Sequence, residues 1–364
     1  MFTDVLILAG GVGERLWPAS TVERPKQFMR LFGGRSFLQE TVARAALLDV
    51  PGKIIIVTRK RWVDMTAEEL LALAEKGAGG KKFPLEKIVL IGEPCGKNTA
   101  PAAALVCNYL LKGRAAGETP NLLVLPSDHI ITDTENFVRD GETACACSMK
   151  NAIVVFGIPP RSAETGFGYI EVAEGDGDGK TAKVARFKEK PDERTAKEYI
   201  RSGKHYWNSG LYGFRPDFYL GELAKYAPDV FRAFDSCGGA FTQDAVGGIG
   251  VLRDSADAGI EAAYRNTPSV SIDYAVSEKS DSVVMVKAAF DWDDAGTWDA
   301  VSKYEEAASG RAAAVLSENN FVYSDVPVAL CGVEDLCVII QNGRALVMKK
   351  GYGNEVKKIA EKGV

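Results

Sequence analysis

Val5-Leu-Ile-Leu-Ala-Gly-Gly-Val-Gly-Glu-Arg-Leu-Trp-Pro18 opens the chain with a short apolar run that breaks into glycines, and Arg24-Pro-Lys-Gln-Phe28 follows it. Val5–Leu8 has the composition of a fully buried strand. A strand ending in Ala9, Gly10, Gly11, Val12 and Gly13 lets backbone approach a ligand closely, and its consecutive N–H groups can face anionic oxygens. Arg15 and, further along, Lys26 add a forked donor and a point charge, a pairing suited to a triphosphate. Two other Gly-rich readings fail on spacing. The dinucleotide fingerprint needs a glycine where Leu16 stands, and the P-loop needs Gly-Lys-Ser/Thr where the chain has Gly13-Glu-Arg. A glycine cluster alone would read as a tight turn with a solvated basic edge; the cations and Pro25-Lys-Gln make that the minor reading.

Outward from this loop, apolar runs alternate with amphipathic stretches. Val5–Leu8, Lys53–Val57, Lys87–Ile91, Leu122–Leu125 and Ile153–Phe156 read as strands. Phe37–Leu48, Trp62–Lys76, Ala100–Leu111 and Glu135–Met149 read as helices. This rhythm predicts an α/β fold: a Rossmann-like, mostly parallel sheet flanked by helices. After Pro159 the pattern changes. Strands are expected at Tyr169–Val172 and Val184–Phe187 around a turn at Glu174–Lys180, then a helix at Asp192–Ser202 and a strand near Gly210–Phe214. A mostly helical stretch runs to about Glu278, with Gly238–Gly250 expected as a loop, and a strand follows at Val283–Ala289. From about Arg311 short strands crowd together, ending in a helix at Asn354–Glu361. The expected division is 1–310 as the main domain and 311–364 as a small β-rich, β-helix-like appendage, too small to bury much core alone.

The chain of 364 residues carries a net charge of −5, which disfavours nucleic acid or an anionic membrane as partner. Seven cysteines without a Cys-x-x-Cys pair read as reduced thiols, and only two histidines are present. No run approaches the roughly 20 apolar residues of a membrane span, so a cytoplasmic protein is expected.

Further motifs sit where α/β proteins bind ligands, at strand carboxyl ends. Glu93-Pro-Cys-Gly-Lys-Asn-Thr-Ala-Pro101 joins a strand to a helix, with Asn98 or Thr99 as cap and Pro101 in the first turn. Pro126-Ser127-Asp128-His129 follows another strand, and Asp291-Trp-Asp-Asp-Ala-Gly-Thr-Trp298 a third. Each aspartate alone reads as a capping or turn residue, yet two from distant strands could complete a magnesium site.

The run Leu8-Ala-Gly-Gly-x-Gly-x-Arg-Leu-x-Pro with Pro-Lys-Gln resembles the sugar-1-phosphate nucleotidyltransferases. Trp17-Pro18 and Pro25-Lys-Gln-Phe28 look like their mannose-1-phosphate guanylyltransferase branch, and the resemblance runs from Val5 to Trp298. It implies transfer of GMP from GTP to mannose 1-phosphate. It further implies that Ala9, Gly10, Gly11, Gly13, Arg15, Lys26 and Ser127 hold the triphosphate, and that Glu93 and Asn98 line the base pocket. Lys97 stands where relatives often have Arg. Asp128 and Asp294 would bind Mg2+, with Asp293 the nearest rival and His129 a structural neighbour. Gly166, Gly168, Glu189, Lys190, Asn208 and Asp273 would meet the sugar phosphate, with Arg15, Lys26 and Lys190 catalytic, Lys188 solvated and Ser271 a helix cap. The tail resembles the family's packing and dimerisation segment, so a homodimer is expected and no isomerase domain. A different sugar such as a heptose, a non-catalytic sugar-nucleotide-binding paralogue and, least, an NAD-dependent dehydrogenase are the alternatives.

Overall fold

The apolar run after Thr3 is a strand enclosed on both faces, with Val5, Leu6 and Ile7 all inaccessible. The computed structural model describes all residues except 33, 77–82, 115–116, 174–178, 236, 238–242, 253–256, 305–311 and 363–364, and not the side chains of 32, 76, 189, 243, 257 and 258. Strands of the first half are β1 (Asp4–Ala9), β2 (Arg30–Phe32), β3 (Arg35–Ser36), β4 (Ile54–Arg59), β5 (Ile88–Glu93), β6 (Leu122–Pro126) and β7 (Ile153–Ile158). Then come β8 (Gly168–Val172), β9 (Thr181–Glu189), β10 (His205–Phe214), β11 (Gln243–Val246), β12 (Ile249–Leu252) and β13 (Val283–Lys287). The tail holds β14 (Ala312–Val315), β15 (Phe321–Ser324), β16 (Val328–Cys331), β17 (Leu336–Gln341) and β18 (Arg344–Lys349). Helices are α1 (Phe37–Ala46), α2 (Val63–Lys76), α3 (Thr99–Lys112), α4 (Thr134–Ser148) and α5 (Glu193–Ser202). They continue with α6 (Pro216–Tyr226), α7 (Pro228–Asp235), α8 (Asp257–Asn266), α9 (Trp298–Val301) and α10 (Val356–Ala360).

The described residues form two units. The larger comprises Met1–Gly10, Val42–Pro126 and Ile131–Trp292; the smaller comprises Gly11–Thr41, Ser127–Ile130 and Asp293–Val364.

In the larger unit the sheet order is β11-β12-β5-β4-β1-β6-β10-β7-β13-β9-β8. β12, β5, β4, β1 and β6 run parallel, whereas β10 enters antiparallel between β6 and β7. The run β12-β5-β4-β1-β6 is the helix-flanked parallel sheet that the alternating pattern predicts, and the antiparallel β10 makes the whole sheet mixed. Leu6, Ile55, Val57, Val89, Ile91 and Val124 share one core with residues of α3, α6, α7 and α8. The intervening Val5, Ile7, Ile54, Ile56 and Leu123 are equally buried, so both sheet faces are covered, as a period of two on a doubly covered sheet requires.

Two expectations need adjustment. The Gly-rich segment Gly238–Gly250 is in part a hairpin: β11 and β12 pair across Gly247 and Gly248, whose φ values of 58° and 95° suit a tight two-residue turn. The apolar Ile249–Leu252 run then joins the sheet beside β5. Residues 238–242 of that expected loop, and most of the Glu174–Lys180 turn, lie outside the described residues. β13 also stops at Lys287, short of the expected Ala289.

In the smaller unit, β14 pairs in parallel with β16, and β15 with β17, each strand matched to one a coil further on. Asn320 Oδ1 accepts from the Leu336 N–H at 2.9 Å and Gln341 Nε2 donates to Asp325 Oδ2 at 3.3 Å, ladder contacts repeating at a separation of 16 residues. These coils bury their apolar side against the segment that follows the glycine loop. Trp298 is fully buried among Leu16, Trp17, Phe321, Tyr323 and Ile339, and its Nε1 donates to the Trp17 carbonyl at 2.9 Å. A segment this small lacks a core of its own, and the loop-following segment supplies the missing partner.

Trp298→Ala is expected to lower unfolding stability by about 3 kcal/mol or more, seen as a lower urea midpoint. An unchanged midpoint would show that this cluster does not hold the smaller unit together.

Candidate active site

In the smaller unit the glycine loop and the Pro-Lys-Gln turn are built on each other. Gly13 takes a φ of +82° and starts a 3-10 turn, Glu14–Leu16. A Cβ on Gly13 would stand 2.5 Å from the Cβ of Lys26, so the bare glycine lets the returning chain lie against the loop. The Lys26 N–H donates to the Val12 carbonyl at 2.9 Å, and Ser20 Oγ donates to the same oxygen.

The Lys26 side chain is only 5% exposed. Its Nζ lies 2.9 Å from Asp128 Oδ2, donates to the Asp294 carbonyl, and sits 5.1 Å from the centre of the Phe37 ring. Ile130 and Asp293 bridge the two acidic segments through their backbones. Arg15 closes on the same place: a Cβ on Gly296 would be 3.1 Å from Arg15 Nη2 and 2.6 Å from Asp294 Oδ2. Three acidic side chains near Trp292 separate by what they touch. Asp293 Oδ1 accepts from the Ala295 N–H at 2.7 Å, whereas Asp294 Oδ1 accepts from the Gly296 N–H at 3.0 Å and its Oδ2, like Arg15 Nη2, lies beside Gly296. Asp291, in the larger unit, accepts from the N–H groups of Thr132 and Asp133.

Electrostatics follow this geometry. Burial pushes the Asp128 carboxyl up, but Lys26, then His129, and hydrogen bonds outweigh it and hold it below its ordinary value. The Asp293 carboxyl is raised by burial, against the Ala295 amide, with the Asp294 charge adding to the rise. Among the described residues no three His, Cys, Asp or Glu side chains form a metal cage. Two carboxylates that leave the remaining positions to phosphate and water are instead a donor set that suits magnesium. Ser127 is buried, and its carbonyl accepts from Thr41 Oγ1 at 3.3 Å.

In the larger unit two further clusters form. At the end of β5, Glu93 is 5% exposed, and a Cβ on Gly10 would collide with its carboxylate. Burial lifts the Glu93 carboxyl to about 7, against the Tyr264 hydroxyl and the Arg59 charge, which pull it down. Arg59 Nε donates to the Gly10 carbonyl at 3.0 Å, and Thr58 Oγ1 donates to that of Ala9 at 3.0 Å. Asn98 is engaged locally: its Oδ1 accepts from the Thr99 N–H at 2.9 Å as it caps α3, at a φ of +69°. Thr99 Oγ1 accepts from the Ile272 N–H at 2.8 Å, tying that cap to the segment around Ser271. Ser271 Oγ accepts from the Tyr274 N–H at 3.3 Å, the capping contact expected of it.

The second cluster joins residues 65 apart in sequence. Asn208 Nδ2 donates to Asp273 Oδ1 at 2.7 Å, and the Tyr212 hydroxyl donates to the same oxygen at 2.6 Å. A bulge in β10 between Asn208 and Tyr212, with Gly210 at φ +69°, turns both side chains toward it. Burial and the Asp273 charge push the Tyr212 hydroxyl well above its usual range, so it stays a donor. Nearby in sequence, Phe167 packs edge-on to Trp207 and to Trp292, each at 5.2 Å between ring centres. Gly168 faces Glu189 across the β8–β9 pair, a Cβ on Gly166 would meet nothing, and Lys190 is exposed at a φ of +46°. The side chain of Glu189 is outside what the structure describes.

Sequence reasoning missed Arg59, Tyr212, Tyr264 and the Phe167 cluster. Arg59 carried a signal, as a cation at the carboxyl end of a parallel strand. Tyr212 and Tyr264 carried no such signal.

A family model for nucleotidyl transferases matches residues 4–311. A mannose-1-phosphate guanylyltransferase of Klebsiella pneumoniae is 39% identical to this chain over 98% of it and 73% of the relative. The crystal structure of a protein from Thermus thermophilus, described as a mannose-1-phosphate geranyltransferase, superposes with a TM-score of 0.79 at 31% identity, covering 100% of this chain and 99% of that one. A mannose-6-phosphate isomerase from Helicobacter pylori superposes at 0.63 with 27% identity, covering 80% of this chain and 100% of that one. No helix among the described residues is long and apolar enough to cross a membrane.

The raised Glu93 carboxyl sets a pH dependence of stability. Below its unfolded value of 4.5 the group is neutral folded and unfolded, and costs nothing by ionising. Between 4.5 and about 7 only the unfolded chain ionises, so stability falls as pH rises and levels off above that window. Glu93→Gln removes this loss. Its stability relative to the parent should therefore grow across the window, by at most about 3 kcal/mol, and urea unfolding at several pH values reads it. A difference independent of pH would contradict the assignment.

Proposed function

Because the chain belongs to the nucleotidyl transferase family, we propose that it transfers GMP from GTP to mannose 1-phosphate, releasing GDP-mannose and pyrophosphate. The reading is supported most directly by Lys26, whose buried ammonium meets the Asp128 carboxylate and the Asp294 carbonyl beside the glycine loop. That is a cation, a carboxylate and the backbone of a second acidic turn next to a backbone nest, equipment suited to a metal-bound triphosphate. The choice of base and sugar is supported by the names of the relatives from Klebsiella pneumoniae and Escherichia coli.

In this reading a phosphate oxygen of the sugar 1-phosphate attacks the α-phosphorus in line. The bond from the α-phosphorus to its bridging oxygen breaks, and pyrophosphate leaves with the electron pair. No covalent intermediate with the protein is required, so the residues work by positioning and by neutralising charge. The amides of Gly11 and Gly13 face the phosphates, backed by Ala9, Gly10 and Ser127. Arg15 and Lys26 balance the charge that grows on the leaving pyrophosphate. Lys190 orients the attacking phosphate. Gly166, Gly168, Glu189, Asn208 and Asp273 hold the sugar, and Glu93 and Asn98 read the base. Asp128 and Asp294 would hold Mg2+, which when bound would supply positive charge to the phosphate oxygens at the reacting centre. Residues 1–310 carry the catalysis and 311–364 the β-rich part, in a cytoplasmic homodimer.

Pyrophosphate release across a matrix of nucleotide triphosphates and sugar 1-phosphates with Mg2+ tests the reading. GTP with mannose 1-phosphate should be the fastest pair; a heptose phosphate ahead of it would reassign the sugar, and silence with every pair would point to a sugar-nucleotide-binding regulator. Lys26→Ala and Asp294→Asn should each reduce turnover by at least about a hundredfold while circular dichroism stays native. Near-normal turnover in either variant sinks the site assignment.

A further inference from the structure

We infer that Tyr264 positions Glu93 to read a purine edge in a proton-linked way: Glu93 accepts from two N–H donors of the base, Tyr264 donates to the carboxylate this leaves, and one proton departs to solvent. The inference rests on the guanylyl-transfer reading and adds to it a positioning residue and a linked proton.

The hydroxyl of Tyr264 is fully buried and lacks a hydrogen-bond partner. A buried hydroxyl without a partner is costly, and such a group calls for an explanation. The ring is held on α8 by edge-on packing against Phe234, at 5.4 Å and 88°. Its hydroxyl faces Glu93, which is itself enclosed and lies where a Cβ on Gly10 would stand. Arg59, from the end of β4, is engaged with the Gly10 carbonyl and lies 5.5 Å from the Trp62 ring, so it acts on Glu93 through its field. Among the described residues, Cys95 and Cys237 are the other titratable groups that act on Tyr264.

Two costs here share one remedy. In the free protein burial keeps the proton on Glu93 below about pH 7, and beside that neutral carboxyl Tyr264 stays unpaired. A guanine edge brings N1–H and N2–H, two donors side by side, which favour the ionised carboxylate; the phenol then completes it. An adenine edge presents an acceptor at N1 and gains nothing from that ionisation. Proton release is thereby coupled to the choice of base.

Calorimetry of GTP binding to the full chain, in two buffers of different protonation enthalpy, counts protons released. Subtracting the Glu93→Gln curve removes protons that come from the triphosphate. The difference should be about one proton near pH 6 and should fall toward zero near pH 8. Tyr264→Phe should move the midpoint of that curve up by about one pH unit and weaken GTP binding near pH 6 about tenfold. In turnover its effect should fall on KM for GTP rather than on kcat. A Tyr264→Phe curve that overlays the parent's overturns the inference even when GTP remains the preferred nucleotide. A parent enzyme that makes no pyrophosphate from GTP fails the underlying reading instead.

Discussion

The Lys26 ammonium is buried among three stretches of chain that are far apart in sequence, and what surrounds it follows from satisfying it. A charge withdrawn from water needs partners with good geometry, and here they are the Asp128 carboxylate and the Asp294 carbonyl. To bring Lys26 there the chain must turn sharply under the glycine loop, which is why Gly13 carries no Cβ and why the Val12 carbonyl accepts two donors. To bring Asp294 there, the Asp293–Gly296 turn closes on its own amides, with Ala295 at a φ of +44°. The β-rich coils add the apolar floor through Trp298.

The larger unit solves a different problem. Its central strands are enclosed on both faces, so polar groups there are confined to strand ends and to one bulge. Glu93 is at such an end, and the desolvation it suffers raises its carboxyl to about 7. Asn208 is at the bulge, where Gly210 reorients the strand and Asp273 gathers two donors on a single oxygen. An oxygen held by two donors is a rigid reference point.

Much of this was readable beforehand because it is local. The alternation of apolar runs and amphipathic stretches has a period, and period reports which face is buried. The turn chemistry of Asn98, Ser271 and Asp293 is equally local. The Gly238–Gly250 segment shows the limit: glycines that read as a loop include the tight turn of a hairpin, and only pairing with β5 distinguishes the two. Asn98 shows another, since one amide oxygen can cap α3 or accept from a ligand, and residue type names both uses.

Sequence by itself determined the glycine loop with its two cations, the helix-flanked sheet and the family, because each rests on contiguous residues or on a short period. Tertiary structure alone decided which aspartate of three stands beside Arg15, that Lys26 meets Asp128, that Asn208 and Tyr212 share Asp273, and that Tyr264 faces Glu93. Those are contacts between segments tens to hundreds of residues apart, and burial, which raises the Glu93 carboxyl, is a property of the packed chain rather than of any stretch of it.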